Sequence, residues 1–204
     1  MNYKSRHFVD LHVIDAIDEA SFNKGYSDAT ILREALQGTS INIVAHVARD
    51  IPSLKATVEA VSNYRKSYID PRTAIPYVHI SCHGTTDDLL VGDTDVMPWN
   101  VLSEALLPLQ EKTDYNVPVS LSSCWGYHGA QLAYTLDAGY QKQRPYYSLV
   151  GPQRKEGILA LGDTFGRFYR HLLVDFTSLK QAITSTNNEG SVQLDYTYGS
   201  CVAY

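Results

Sequence analysis

Apolar residues recur along the chain in two alternating periods. Short, β-rich runs with few charges cover Phe8 to Val13, Ile41 to Val47, Ile75 to Ser81, Val117 to Ser122 and Tyr146 to Val150. Such runs are what strands covered on both faces require. Between them the period lengthens to that of a helix. Asp28 to Gln37 gathers Ile31, Leu32, Ala35 and Leu36 on one face, with Gly38 as a stop. Pro52 to Tyr68 repeats Leu54, Val58, Val61 and Tyr64 after an opening proline. Pro98 to Leu109, Tyr127 to Tyr140 and Gly157 to Leu173 complete the helical set, the last with a stripe from Ile158 to Leu172. Ser191 to Tyr198 alternates like an extra edge strand, and Thr184 to Gly190 has the composition of a loop. This alternation predicts an α/β three-layer sandwich, a mostly parallel central sheet with helices on both faces. No repeat or linker divides residues 1–204, so one domain is expected.

Composition narrows the function classes. Among 204 residues, 17 basic and 22 acidic side chains leave a formal charge of −5, and 44% of the chain is hydrophobic. That is too apolar for disorder, and no apolar run approaches the ~18 residues of a membrane span. The acidic balance, without a clustered basic face, argues against nucleic-acid and membrane-surface partners. Cys82, Cys124 and Cys201 form an odd set without any C-x-x-C pair, which fits neither a disulfide framework nor a zinc ribbon. The first residues run into a strand-like segment with no signal-peptide apolar region, so a reducing cytoplasm is the expected compartment.

In an open parallel sheet, chemistry gathers beyond the carboxyl ends of the strands. Two of those ends stand out. One strand runs into Ser81-Cys82-His83-Gly84, and the next into Ser122-Ser123-Cys124-Trp125-Gly126. Neighbouring strands lie about 4.8 Å apart, so a histidine and a cysteine at adjacent ends can work together. Cys124 would sit at the mouth of the Tyr127 to Tyr140 helix, where a thiolate is favoured. His83 could accept the thiol proton and later protonate a leaving amine. The amides of Gly84 and Cys124 could bind a developing oxyanion. Two other readings compete: buried packing residues, or a zinc site from Cys82, His83, Cys124 and His128. Cys82 and His83 are adjacent in an extended segment and should point to opposite faces, which sends Cys82 into a core layer.

At these residues the sequence resembles the caspase-like cysteine peptidases of clan CD, and most closely the CHAT-domain proteins. The resemblance is carried by Val78-His79-Ile80-Ser81-Cys82-His83-Gly84 and by Val119-Ser120-Leu121-Ser122-Ser123-Cys124-Trp125-Gly126. Tyr147 to Pro152, followed by Gly166 to Leu173, extends it. The resemblance implies a caspase-like sandwich in which His83 is the general base, Cys124 the nucleophile and Gly84 an oxyanion-hole residue. It also implies peptide-bond hydrolysis through an acyl-enzyme, with no metal or organic cofactor. The caspase signature Gln-Ala-Cys-x-Gly is here Ser122-Ser123-Cys124-Trp125-Gly126, so aspartate specificity is not implied. CHAT domains usually sit beside repeat modules, which makes a separate activating or regulatory protein an expected partner besides the protein substrate.

Residues that could read a substrate lie next to the pair. Asp93, in the acidic loop expected after His83 with Asp87, Asp88 and Asp95, could select a basic side chain through a charge-assisted contact. The competing reading is that these aspartates cap helices and turns. Trp125 could wall a pocket or pack on the sheet. The leading expectation is a bacterial cytoplasmic cysteine endopeptidase; the alternative is a catalytically silent scaffold binding a protein partner through the same cleft. Neither G-x-x-x-x-G-K-[ST], G-x-G-x-x-G nor G-x-S-x-G occurs, which leaves nucleotide-binding and serine-hydrolase readings unsupported.

Overall fold

A computed structural model of the protein describes residues 9–63, 76–113, 116–134 and 145–199. Phe8, residues 64–68, Ile75, residues 135–140 and Cys201, all invoked above, lie outside them. Six strands form the central sheet in the order β2-β1-β3-β7-β8-β9. They are β1 (Val9–Asp15), β2 (Ile41–Val47), β3 (Tyr77–Ser81), β7 (Val119–Ser122), β8 (Ser148–Pro152) and β9 (Leu194–Tyr198). The first five run parallel, and β9 closes one edge antiparallel to β8. Burial follows position in that order. Strands β7 and β8 are buried throughout, whereas β2 on the edge has several exposed residues.

Alternation along the strands builds two cores. Ile14, Val78, Ile80, Val119 and Leu121 face α3 (Ile51–Asn63) and α4 (Trp99–Lys112), where Leu54, Val58, Leu102 and Leu106 meet them. Leu11, Val13 and Val150 face the opposite layer of α2 (Asp28–Ala35), α5 (Ile158–Tyr169) and α6 (Leu179–Glu189). The chain is therefore an α/β three-layer sandwich with a mostly parallel sheet. Among the described residues no helix is long and apolar enough to cross a membrane.

Three elements differ from the sequence expectation. Thr184 to Gly190 is not a loop: α6 runs to Glu189, opened by a capping box between Ser178 and Gln181. Its polar residues mask a real apolar face of Ala182 and Ile183, and Thr186 turns its hydroxyl back onto the Ala182 carbonyl. The acidic stretch after His83 is not a loop either. It forms a three-stranded antiparallel sheet of β4 (His83–Gly84), β5 (Asp88–Val91) and β6 (Asp95–Pro98). Leu89, Val91 and Met97 alternate inward there and join the core beside α4. Finally, the segment after Cys124 is a 3-10 helix, Gly126–Tyr134, rather than the first turns of an α-helix.

Candidate active site

Parallel pairing of β3 with β7 puts Ser81 opposite Ser122, so the two chains leave the sheet side by side. One then enters β4 with His83 and the other turns at Cys124. Gly84 is where they touch. A methyl group on Gly84 would stand 2.5 Å from the Cys124 carbonyl oxygen and 3.2 Å from the Ser123 side chain. Only a residue without Cβ permits this approach. His83, Gly84 and Cys124 are all partly exposed, whereas Cys82 is buried in the α3/α4 core. Burial pushes the Cys82 thiol up to about 12. The adjacent pair Cys82 and His83 thus part to opposite sides. Among the described residues no group of three or more potential ligands is arranged to hold a metal ion.

The turn behind Cys124 is strained. Trp125 has φ = 61°, a left-handed conformation that a bulky residue adopts at a cost of about 1–3 kcal/mol. The loop after β8 holds this turn, since the Trp125 amide donates to the Arg154 carbonyl at 3.2 Å. The Gly126 amide donates to Ser123 at 3.0 Å. The Cys124 amide has no acceptor among the described residues, so it is available to a ligand. The Cys124 thiol itself donates to the Glu156 carbonyl at 3.4 Å, on that same loop. Trp125 packs edge-on against His128 and remains partly exposed.

The main surprise lies at the end of β1. The His83 Nε2 stands 2.8 Å from Oδ2 of Asp18, a residue that the sequence reading does not single out. Asp18 is the N-cap of α1 (Glu19–Asn23), and its Oδ1 accepts from the Ser21 amide at 2.8 Å. Hydrogen bonds from Ser21 and then His83 hold its carboxyl well below the usual aspartate range. The signal available in sequence was the Asp18-x-x-Ser21 cap just past the first strand; nothing in it points to a contact 65 residues away.

The platform under Asp18 is tied down from three sides. Ala16 donates to the Ser81 carbonyl at 2.7 Å and accepts from the Gly92 amide at 2.9 Å. Arg49 stacks its guanidinium over Phe22, 4.5 Å from the ring centre, and donates to the Ile17 carbonyl. Asp93 accepts from the Glu19 amide at 3.1 Å, and Asp95 from the Ile51 amide at 3.0 Å. Two of the four aspartates after His83 thus serve helix N-termini. Asp93 remains exposed, beside Asp18.

Beneath the rim lies a buried polar row. Asp15, Ser81 and Ser122 occupy one register line across β1, β3 and β7. Asp15 accepts from the Ser27 hydroxyl at 2.6 Å and from the Asp28 amide at 2.9 Å. Burial pushes its carboxyl up, and the neighbouring Asp28 adds to that. His79, four residues before His83 and within β3, is clamped between Asp28 Oδ2 at 2.9 Å and the Tyr169 hydroxyl at 3.1 Å. Four side-chain oxygens here are buried without a hydrogen-bond partner among the described residues: Asp28 Oδ1, Ser81 Oγ, Ser122 Oγ and Ser123 Oγ. Each such group costs about 1–3 kcal/mol when it is left without a partner. No family model matches this chain, and no curated protein does either.

Proposed function

We propose that the protein is a caspase-like, CHAT-type cysteine endopeptidase with His83 and Cys124 as its catalytic pair. The observation that carries this reading is the junction of the two strand ends. Gly84 lies flush against the Cys124 backbone, next to a free amide and behind a strained turn. In the proposed reaction His83 takes the Cys124 proton, and the thiolate sulfur bonds to the scissile carbonyl carbon. The oxyanion receives hydrogen bonds from the amides of Gly84 and Cys124. Collapse breaks the C–N bond, the amine leaves with the proton held by His83, and water then hydrolyses the thioester.

The same reading extends to the substrate. Asp93 is exposed and Trp125 partly exposed next to the two strand ends. An exposed carboxylate so placed matches a cationic side chain before the scissile bond. A protein substrate in a bacterial cytoplasm and a separate regulatory protein complete the proposal. The Cys124 thiol is engaged by the Glu156 carbonyl, and release from that contact fits a need for activation.

Digestion of a peptide library by wild type and Cys124→Ala tests this. Cleavage after Lys or Arg that vanishes in Cys124→Ala is expected; equal cleavage by both proteins overturns the assignment. A wild type that binds a protein partner through the cleft, yet is silent even in cell extract, leaves the scaffold reading in its place.

A further inference from the structure

We infer that Asp18 is a positioning residue that fixes the tautomer of His83, making Nε2 the donor and leaving Nδ1 as the atom that takes the nucleophile's proton. The inference rests on the peptidase reading for its consequence, but its geometry stands apart from it. An ionised carboxylate can only accept, so the 2.8 Å contact from His83 Nε2 to Asp18 Oδ2 requires the hydrogen on Nε2. The carboxylate is held ionised by the Ser21 and His83 hydrogen bonds. Each of its oxygens has one defined partner, Ser21 N on Oδ1 and His83 Nε2 on Oδ2. Neither the carboxylate nor the imidazole is then free to rotate without losing a bond.

The surroundings reinforce that fixation. Asp18 begins a helix of five residues, too short to hold its own position, so the tie from Asp93 to Glu19 and the Arg49–Phe22 stack supply the rigidity. A neutral imidazole presenting Nδ1 can accept a proton from Cys124 without a ring flip, and the cation so formed lies against a carboxylate. Groups that hold a catalytic imidazole in one tautomer are worth orders of magnitude in other hydrolases, about 10⁴ where the carboxylate is made an amide.

Asp18→Asn separates this role from helix capping. Asparagine caps as well as aspartate, so the Ser21 bond and the melting temperature should be kept. Its remaining amide N–H₂ faces His83 Nε2 and drives the hydrogen to Nδ1. The imidazole ¹⁵N spectrum, recorded where histidine is neutral and assigned with His83→Gln, should show Nε2–H in the wild type and Nδ1–H in Asp18→Asn. With a cleaved peptide as substrate, kcat should fall about 10²–10⁴-fold with little change in KM. An unchanged tautomer, or full kcat in a folded Asp18→Asn protein, overturns the inference. A wild type without peptidase activity removes the peptidase reading alone, because the spectrum still decides on Asp18.

Discussion

Gly84→Ala puts the junction between the two strand ends to the test. The added methyl would lie 2.5 Å from the Cys124 carbonyl oxygen, whereas real Cβ contacts are not found below 3.0 Å, so something must move by at least 0.5 Å. Gly84 cannot easily yield, because it is paired with Leu89 in β5 and flanked by His83. Cys124 is the softer partner, since its turn already carries the strained Trp125. Overpacking of this kind costs about 1–3 kcal/mol, which for a chain of this size lowers the melting temperature by about 2–12 °C. Displacing Cys124, the proposed nucleophile, by up to 1 Å should cost far more in rate, about 10²-fold. The assay is peptide hydrolysis beside alkylation of Cys124 by iodoacetamide, with thermal melting as the control. Wild-type hydrolysis in a protein of wild-type stability would refute the argument, because it would mean that Gly84 does not lie against Cys124.

Other predictions follow from the same contacts. Gly92 has φ = 64°, and a Cβ there would run into the Arg49 carbonyl, so Gly92→Ala should destabilise the β5–β6 turn and, through it, the Asp18 platform. Reduced melting temperature and reduced kcat together are expected; wild-type values for both would contradict it. Ser81→Ala removes a buried hydroxyl without a partner, so it should leave stability unchanged or raise it by about 1 kcal/mol. A loss above ~1.5 kcal/mol in urea unfolding would show that the hydroxyl is bonded after all. Asp18 has a folded-state pKa below the unfolded one, so its stabilisation is present above the unfolded pKa and is lost as pH falls through the folded value. Acid melting curves of Asp18→Ala should therefore converge on wild type at the lowest pH; a constant offset at every pH would argue against it. Native thiol mapping should modify Cys124 and spare Cys82, whose thiol is buried and pushed up to about 12. Comparable modification of both would contradict that burial.

Much of this architecture is legible in the chain because buried strands and amphipathic helices obey simple periods. Ile41 to Val47 is recovered to the residue, and the low charge of the central runs foretells a sheet covered on both faces. That His83 and Cys124 follow the ends of neighbouring strands is likewise legible in the chain. What escaped depends on contacts between distant segments. Thr184 to Gly190 reads as a loop by composition, yet Ala182 and Ile183 bury a helical face against α5. Asp93 reads as a substrate selector or a cap, and its bond to Glu19 is visible only once β5 and β6 fold back toward β1. Asp18 is the clearest case. A lone aspartate after a strand is ordinary in sequence, and only the parallel pairing of β1 with β3 carries it to His83.

Labelling with a peptidyl electrophile that ends in lysine, followed by mass-spectrometric mapping, tests the central claim most directly. The peptidase account predicts a single adduct on Cys124 that is lost in His83→Ala and strongly reduced in Asp18→Asn. Adducts spread over several residues, or undiminished labelling of Cys124 in His83→Ala, would contradict it.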